Sequence, residues 1–518
     1  MTTQITKRAV VSCFLFRFTP DHPTPSVALF KRSDKVRTYP NHYAPISGSI
    51  DPTDSTPLQT AYREIQEETT LTPPTITLYR TGQPFTFSDA SIAREWTIHP
   101  FAFILKKGGE ASINIDWEHE RWEWFDPVRI MTDQDLNTVP RLKDSLGRVY
   151  FEATMNEKAG RALAMGLDRL RCDRESGARE LLRIALGVFR DFIVFCESLG
   201  DDLNPNSATT STNIKDKDKE WEKILEASYH IIKNGRETMS ASIQSTLLSI
   251  LSEMTSTHLH PSTLLSLLDA HIHRPNTIKP AFNSYTTTSF PQTTTTNKSN
   301  TLTILTTSSS STIRDCILSL HAEVQSLELR ILESRPLFEG TTLASSLLSS
   351  LKSSPHKNHT KIKIYTDASA AQACQGVDMV LLGADLISAT KGVSNKTGSL
   401  PLVLCARHVS PGAKVVVLSE IEKVNALNEI VDDEVVERNH PLEVMSAWRS
   451  DGVKGVKVLE DGMGSESDGV SVEVENVYFE WVPLHMVDAF VCQEGVLGVD
   501  GIVNRSRVLG GLAQRFFG

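Results

Sequence analysis

The sequence predicts a multidomain α/β protein with a mixed domain at the amino end, a helical segment, and a Rossmann-like doubly wound parallel sheet at the carboxyl end. Three observations lead to this fold class. The chain has 518 residues, and at roughly 100–200 residues per domain it is too long for one compact unit. Short β-type runs dominate its first part, and long helical patterns follow them. Strands and helices then alternate to the end, as a parallel sheet requires.

Composition narrows the function classes. The 53 basic and 63 acidic side chains give a formal charge of −10, which disfavours a nucleic acid partner. Seven scattered cysteines without a C-x-x-C pair suggest a reducing compartment. The start, MTTQITKRAVV, lacks the apolar core of a secretory signal, and no stretch approaches the roughly 18 apolar residues of a spanning helix. We therefore expect a cytoplasmic protein without a membrane partner.

Residues 1–145 form the predicted mixed domain. Its β-type runs are separated by one helical stretch, Pro57–Thr69. Residues 150–270 carry the long helical patterns and form the helical segment. Two low-complexity stretches, Asp201–Lys219 and the threonine-rich Ile272–Asn300, have too little apolar surface to offset the entropy of ordering. We expect both to be mobile loops, with 271–300 a disordered insertion.

Residues 301–518 alternate strands with helices. The strand runs are TLTILTT, KIKIYT, DMVLLGAD and AKVVVLS, and helices are predicted over Ile313–Leu332 and about Leu400–Val409. Ligands of an open parallel sheet bind beyond the carboxyl ends of its strands. Residues that directly follow these strands are therefore candidate ligand contacts.

The helical stretch Pro57–Thr69 carries three carboxylates on one side. Glu64 lies three residues before Glu67 and four before Glu68, so a divalent cation would turn their repulsion into attraction. Oxygen ligands favour Mg²⁺ or Mn²⁺, which promote cleavage of a diphosphate. A solvated acidic helix face is the alternative interpretation.

The stretch Gly48–Leu71 resembles the Nudix box, and the resemblance extends over about residues 7–129. It implies an α/β/α sandwich, a metal held by the three glutamates, and Arg63 as the residue that orients them. By the same resemblance Glu64 is a catalytic residue and Gly48 borders the substrate. The general base is left open among Glu64, Glu118 and Glu120, and substrate phosphate could meet Arg32 and Arg37.

This stretch departs from the Nudix pattern at three points. The loop acid is Asp54 instead of glutamate, one extra residue separates it from Arg63, and Thr70 replaces the closing glycine. We expect the last two changes to alter the loop exit and lower the rate.

Polar residues follow the strands of the carboxyl-terminal domain. A serine-rich run leads from TLTILT into a helix whose N-terminus suits a phosphate. Asp385 follows VLLGA, and Lys396 and Lys423 come after it. Together these groups match a sugar phosphate, although helix capping by the serines and a turn at Asp385 are the alternatives.

The motifs ESRPLFEG, GADLISATKGVSNKTG and FEWVPLHMVDAFVCQEG resemble the regulatory subunits of translation initiation factor two-B. They are similar also to ribose-1,5-bisphosphate and methylthioribose-1-phosphate isomerases. Those enzymes use a cysteine and an aspartate for proton transfer; Asp385 matches the aspartate, but Ser308 occupies the cysteine position. The resemblance assigns phosphate contacts to Arg236, Ser310, Ser311, Thr312, Asn395, Lys396 and Lys423. It also implies a homodimer through this domain.

Three functions remain open. The first is a Mg²⁺-dependent Nudix hydrolase of a nucleoside diphosphate derivative or phosphoribosyl diphosphate, fused to a domain that binds a sugar phosphate. The second is a non-enzymatic, translation-factor-like regulator or oligomerisation protein with an inactive Nudix domain. The third is an active ribose-1,5-bisphosphate isomerase, which the serine at 308 disfavours because a hydroxyl is a far poorer proton acceptor than a thiolate.

Overall fold

The structure is a computed structural model that describes residues 5–19, 24–173, 176–201, 214–236, 240–257, 261–274, 277–291, 301–356, 358–427, 439–463 and 470–518. The chain divides into two compact units. The first contains residues 1–243, 250–272 and 514–518, and the second contains residues 244–249 and 273–513.

The amino-terminal part of the first unit is a seven-stranded mixed sheet with short helices. Its elements are β1 (Thr6–Arg17), β2 (Ser26–Arg32), β3 (Tyr43–Ala44), α1 (Pro57–Thr69), β4 (Ile76–Thr81), β5 (Phe85–Asp89), β6 (Arg94–Leu105), β7 (His119–Phe125), α2 (Pro127–Thr132) and α3 (Leu142–Gly147). The strand order is β3-β2-β1-β6-β4, with β5 paired to β6 and β7 to β2. Only β1 and β6 pair in parallel within this sheet, from Thr6 opposite Arg94 to Phe16 opposite Ile104.

Strand alternation gives this sheet a core on each face. Val11, Cys13 and Leu15 of β1 pack on one face with Ala61 and Ile65 of α1. On the other face, Phe14 and Phe16 of β1 pack with residues of α2 and α3, namely Ile130, Leu142 and Leu146. The predicted α/β/α sandwich is confirmed.

The rest of the first unit is helical. It comprises α4 (Glu157–Cys172), α5 (Ala178–Asp201), α6 (Ile214–Asn234), α7 (Ala241–Thr257) and α8 (Pro261–Ile272), although residues 244–249 of α7 group with the second unit. The end of the chain also belongs here, because the ring of Phe516 meets that of Trp221 and the ring of Phe517 meets that of Tyr229. The predicted helical segment is confirmed.

The second unit is built on a seven-stranded sheet. Its elements are α9 (Ile278–Ser289), β8 (Leu302–Thr306), α10 (Ser311–Glu323), β9 (Ser326–Leu332), α11 (Glu339–Lys352), β10 (His359–Tyr365), α12 (Ala370–Ala373), β11 (Met379–Leu382), β12 (Leu386–Ser388), β13 (Gly392–Lys396), α13 (Ser399–Val409), β14 (Lys414–Leu418), α14 (Leu442–Ser450), α15 (Val456–Gly462), β15 (Phe479–Val482), β16 (Ala489–Cys492), β17 (Gly495–Leu497) and α16 (Val499–Phe517). The last residues of α16 group with the first unit.

The strand order β10-β9-β8-β11-β14-β16-β17 confirms the doubly wound sheet. All neighbours pair in parallel except β16 and β17. The chain runs outward from β8 to β10 and then crosses to β11, so the order reverses between β8 and β11. This switch point is where such sheets bind ligands. A small antiparallel sheet, β12-β13-β15, follows β11.

Two expectations for this part of the chain are wrong. The predicted helix over Ile313–Leu332 ends at Glu323, and Ser326–Leu332 is strand β9. Leu327, Leu329 and Ile331 alternate into the core, so a period of two outweighs the helix propensity of the leucine-rich run. The predicted disordered insertion 271–300 contains helix α9, which buries Ile278 and Phe282 in the core. Its stretch 292–300 lies outside the described residues, as does 202–213 of the other predicted loop.

Within the described ranges, no helix is long and apolar enough to span a membrane.

Candidate functional site

Helix α1 is fixed at both ends by local interactions. Thr56 caps its start by accepting a hydrogen bond at Oγ1 from Gln59 N at 3.2 Å, and Pro57 fits the first turn. At its end Thr70 adopts a left-handed conformation with φ of 61°, which glycine adopts more readily. Thr70 Oγ1 donates to Ser112 O at 2.9 Å. The loop exit therefore keeps the backbone geometry of a closing glycine.

Arg63 holds three carboxylates at one place. Its Nη2 donates to Asp54 Oδ2 at 2.9 Å, and its Nη1 donates to Glu64 Oε1 at 2.7 Å and to Glu67 Oε2 at 3.3 Å. These charge-assisted bonds fix the orientation of the cluster. The guanidinium of Arg63 and the hydroxyl of Thr60 lower the pKa of Asp54 to about 2, so the loop acid remains ionised.

Glu68 lies on the buried side of the same helix. Burial, reinforced by the charges of Glu64 and Glu118, raises its pKa well above the ordinary value. Burial also raises the pKa of Glu64 and of Glu118. His119 Nε2 lies 3.4 Å from Glu68 Oε2, and burial lowers the pKa of this imidazole to about 4. The neutral histidine therefore adds no positive charge next to the Glu68 carboxyl.

Gly48 gives the Glu64 carboxylate its space. A Cβ atom at position 48 would lie 1.8 Å from Glu64 Cδ, which is far inside van der Waals contact. The Gly48 carbonyl accepts from Val11 N at 2.9 Å, so strand β1 holds this backbone in place. A side chain at position 48 would therefore displace the Glu64 carboxylate from its present place.

A cavity of about 240 Å³ adjoins Gly48 and Ser49. Its aromatic lining residues are Tyr39, Phe85, Phe87 and Trp96, and its charged lining residues are Arg32, Arg94 and Arg141. Phe87 lies opposite Trp96 across the β5–β6 pair. Aromatic faces and guanidinium groups next to a carboxylate cluster suit a substrate with a flat ring and phosphates.

In the second unit, Ser308 lies just beyond β8 at the switch point. It adopts a left-handed conformation with φ of 65°. Ser308 N donates to Ser334 Oγ at 2.7 Å, and its own Oγ lies 3.5 Å from Glu339 Oε2. Ser310 Oγ caps α10 by accepting from Ile313 N at 3.3 Å. The polar groups predicted after β8 thus lie in the expected crevice.

The two crevice lysines already have protein partners. Lys396 Nζ lies 3.3 Å from Glu339 Oε1, and Lys423 Nζ donates to Ala384 O at 2.6 Å, next to Asp385. Asn395 Nδ2 donates to Ser399 Oγ at 2.8 Å. A phosphate that binds here must compete with these acceptors.

Family models match two segments of the chain. Residues 6–145 match the NUDIX domain, and residues 286–498 match the initiation factor 2 subunit family. The chain contains a NUDIX domain and an initiation factor 2 subunit family domain.

Individual relatives match parts of the chain. Methylthioribose-1-phosphate isomerase from Xanthomonas campestris pv. campestris (strain B100) is 29% identical over 134 residues, which are 26% of this chain and 33% of the relative. The Zea mays enzyme of the same name is 26% identical over 166 residues, 32% of this chain and 40% of the relative. The chain thus spans a third to two fifths of these relatives.

Solved structures with partial similarity include a Pyrococcus horikoshii OT3 translation initiation factor eIF-2B and a C. elegans Ap4A hydrolase. The first is 17% identical with a TM-score of 0.40, and the match covers 65% of this chain and 96% of the solved chain. The second is 17% identical with a TM-score of 0.24, and the match covers 28% of this chain and 96% of the solved chain.

The NUDIX domain brings together most of its predicted site residues. Arg63, Glu64 and Glu67 are joined by the contacts above, and Arg32 and Gly48 line the cavity. Arg37 is exposed and is not among the lining residues. Of the candidate bases, Glu118 lies close enough to affect the pKa of Glu68, whereas Glu120 pairs with Lys31 at 3.0 Å.

The carboxylates of the NUDIX domain fit a hard divalent cation in their chemistry. Their oxygen atoms are the donors that Mg²⁺ prefers, and burial raises the pKa values of Glu64 and Glu68. Among the described residues, no three His, Cys, Asp or Glu side chains form a group that could hold a metal as they stand. Glu67 has a side chain that is 59% exposed, and a change of its rotamer would break the 3.3 Å bond to Arg63 Nη1.

The initiation factor 2 subunit family domain collects fewer of its predicted contacts. Ser308, Ser310, Asn395, Lys396, Lys423 and Asp385 lie around the switch point, while Ser311 is exposed and Thr312 is half-buried. Arg236 is part of the first unit, where its Nη1 donates to Asp173 O at 2.9 Å.

Sequence reasoning missed four groups that contribute to the two sites. Glu339 and Ser334 contact Ser308 in the crevice, and Phe85 and Phe87 line the cavity. The alternation in QPFTFSD is a period-two signal that predicts a strand with both rings on one face. Contacts of Glu339 depend on the tertiary fold, and the sequence carries no spacing that predicts them.

Proposed function

We propose that the NUDIX domain is a Mg²⁺- or Mn²⁺-dependent hydrolase of a nucleoside diphosphate derivative or phosphoribosyl diphosphate. The observation that carries this proposal is the Arg63 cluster. One guanidinium orients Asp54, Glu64 and Glu67 beside the buried carboxylate of Glu68. A buried carboxylate is costly unless a cation or hydrogen bonds compensate it, and the imidazole beside Glu68 is neutral.

In this proposal, Glu64, Glu67 and Glu68 hold the cation, which would neutralise the diphosphate oxygens when bound. Arg63 keeps the carboxylates aligned. Arg32, at the cavity edge, binds a substrate phosphate, and Glu64 or Glu118 takes the proton from the attacking water. Burial raises the pKa of both carboxyl groups toward neutral pH. A general base works best when its pKa lies near the pH of the reaction.

The test is release of product from a panel of diphosphates with and without Mg²⁺. The panel contains ADP-ribose, a nucleotide sugar, a dinucleoside polyphosphate, an inositol diphosphate and phosphoribosyl diphosphate. Glu67→Gln combined with Glu68→Gln should abolish metal-dependent release, a loss of about a hundredfold or more. Glu180→Gln is a matched control, because Glu180 is an exposed acid paired with Arg183 on α5. Wild-type protein that cleaves no panel member would refute the proposal.

We further propose that the second unit binds a sugar phosphate without turning it over. The supporting observation is the polar set at the switch point, in which Ser308 replaces a thiol and has Glu339 as its side-chain neighbour. Cleavage of a ribose-linked diphosphate leaves a ribose phosphate, which gives the two domains a chemical connection. We retain the homodimer through this domain as part of the proposal.

Calorimetry on the full chain with ribose 5-phosphate and ribose 1,5-bisphosphate tests this second proposal. Lys396→Ala should weaken binding about tenfold through loss of a charge-assisted contact. Lys414→Ala should leave it unchanged, since Lys414 is an exposed residue of β14. If neither pentose phosphate produces a heat of binding, the proposed binding is wrong. If the protein converts ribose 1,5-bisphosphate to a ketose, the proposed lack of turnover is wrong.

A further inference from the structure

Three consecutive backbone carbonyls, from the last residue of β4 into the connection to β5, are held by side chains that lie outside the NUDIX match. Asn234 Nδ2 donates to Thr81 O at 2.9 Å, and Tyr229 Oη donates to Gly82 O at 3.2 Å. Arg148 Nη1 donates to Gln83 O at 3.1 Å. All belong to the first unit. The connection that leads into β5 is therefore fixed from helix α6 and from the segment after α3.

Asn234 makes the most specific of these contacts. Its Oδ1 accepts from Thr81 N at 2.7 Å while its Nδ2 donates to Thr81 O, so the amide pairs with one residue as a neighbouring strand would. The side chain is 7% exposed. Removing it would leave a half-buried donor and a half-buried acceptor of Thr81 without this partner.

His230 fixes the orientation of that amide. Its Nδ1 lies 2.7 Å from Asn234 Nδ2, and burial lowers the pKa of His230 well below the ordinary value. The neutral ring accepts at Nδ1, because the amide nitrogen can only donate. Both hydrogens of Asn234 Nδ2 are thus used, one on Thr81 O and one on His230.

The fixed connection ends at the cavity. Phe85 begins β5, and Phe85 and Phe87 both line the cavity beside Gly48. Arg148 also lies 4.8 Å above the centre of the Phe85 ring. Neither phenylalanine is among the residues that pack the two cores of the sheet. The contacts with Asn234, Tyr229 and Arg148 therefore position rings that face the cavity.

We propose that Asn234 is a positioning residue of the NUDIX cavity: through the Thr81 backbone it sets the placement of Phe85 and Phe87, and thereby the affinity for substrate. The inference rests on the proposed function in taking this cavity as the substrate site. It makes the helical segment a functional part of the hydrolase.

The first experiment is hydrogen exchange on the full chain. Asn234→Ala should speed exchange of amides in 81–89 about tenfold or more, with smaller changes in β1 and α1. Asn234→Asp should act at least as strongly, because it keeps the acceptor for Thr81 N but places an oxygen against Thr81 O. Asn283→Ala is the matched control, since Asn283 donates to Ser319 Oγ at 3.0 Å in the second unit. Unchanged exchange in 81–89 would overturn the inference.

The second experiment separates positioning from general loss of structure. Asn234→Ala should weaken ADP binding about five- to tenfold in calorimetry and raise KM for ADP-ribose similarly, with kcat within about twofold. Unchanged ADP affinity, or ADP that does not bind the wild type, overturns the inference. If the wild-type protein binds ADP but cleaves no diphosphate, the hydrolase proposal is refuted. The effect of Asn234→Ala on ADP affinity then still decides whether Asn234 positions the cavity.

Discussion

The two candidate sites treat their charges in opposite ways. In the NUDIX domain, burial raises the pKa values of Glu64, Glu68 and Glu118, and the nearest imidazole stays neutral. In the second unit, Glu339 is matched with Lys396 at 3.3 Å, and Lys423 donates to a backbone carbonyl. The first site gathers three carboxylates around one guanidinium, whereas the second has already paired its lysines with protein acceptors. The proposed cation would offset the excess of carboxylates in the first site, and the proposed ligand of the second site would have to exchange partners with the protein.

The largest expected effect concerns the Arg63 cluster. Arg63→Lys removes the planar fork that reaches Asp54 and Glu64 together, so metal-dependent hydrolysis should fall about ten- to a hundredfold. Steady-state kinetics measure the loss. Arg183→Lys, on an exposed pair with Glu180, should keep the wild-type rate. A full rate in Arg63→Lys would show that the carboxylates align without the guanidinium.

The next prediction concerns the balanced pair in the crevice. Glu339→Gln removes the carboxylate that occupies Lys396, so ribose 5-phosphate should bind about five- to tenfold more tightly. Calorimetry at low salt measures the change. Glu323→Gln, an exposed change at the end of α10, should have no effect. Weaker binding in Glu339→Gln would mean that Glu339 contacts the ligand instead of competing with it.

A third prediction tests whether burial of a carboxyl group destabilises the first unit. Burial raises the pKa of Glu226 on α6 to about 7. The folded state therefore holds this proton more tightly than the unfolded state does, and stability falls as pH rises from about 4 to 7. Glu226→Gln should stabilise the protein by about 1 kcal/mol or more at pH 8 and little at pH 4.

Urea unfolding at both pH values measures this effect. Glu220→Gln on the same helix is the control, because Glu220 is exposed and its charge is not among those that shift the pKa of Glu226. An equal response of the two variants would show that burial of Glu226 does not govern its titration.

The smallest expected effect concerns Thr70. A β-branched residue in the left-handed conformation is strained, so Thr70→Gly should stabilise the first unit by about 0.5 kcal/mol, even after loss of the bond to Ser112 O. Thermal unfolding measures it. The control is Thr77→Gly at an exposed position of β4, which should destabilise the first unit. A destabilised Thr70→Gly would show that the hydroxyl contacts outweigh the strain.

Local sequence signals predicted helix α1 well. Its bounds, Pro57–Thr69, are those observed, because the capping threonine, the following proline and the spacing of Ala61 and Ile65 all act within a few residues. The placement of Asp385 and Lys423 at one crevice followed from the rule that parallel strands end at the same edge.

Long-range contacts were beyond such reasoning. The run around Leu327 and Leu329 contains good helix formers, and its place beside β8 and β10 in the sheet decides that it is a strand. The contact of Ser308 with Glu339 joins residues 31 positions apart, and that of Thr81 with Asn234 joins residues 153 apart. No periodicity connects such pairs.

The aromatic contacts of Phe516 and Phe517 with Trp221 and Tyr229 bear on how the protein is made. Synthesis delivers α6 about 280 residues before residues 514–518, so the rings of Trp221 and Tyr229 must wait for these partners. Closure of this face of the first unit is therefore a late event in folding, after the intervening chain has been made.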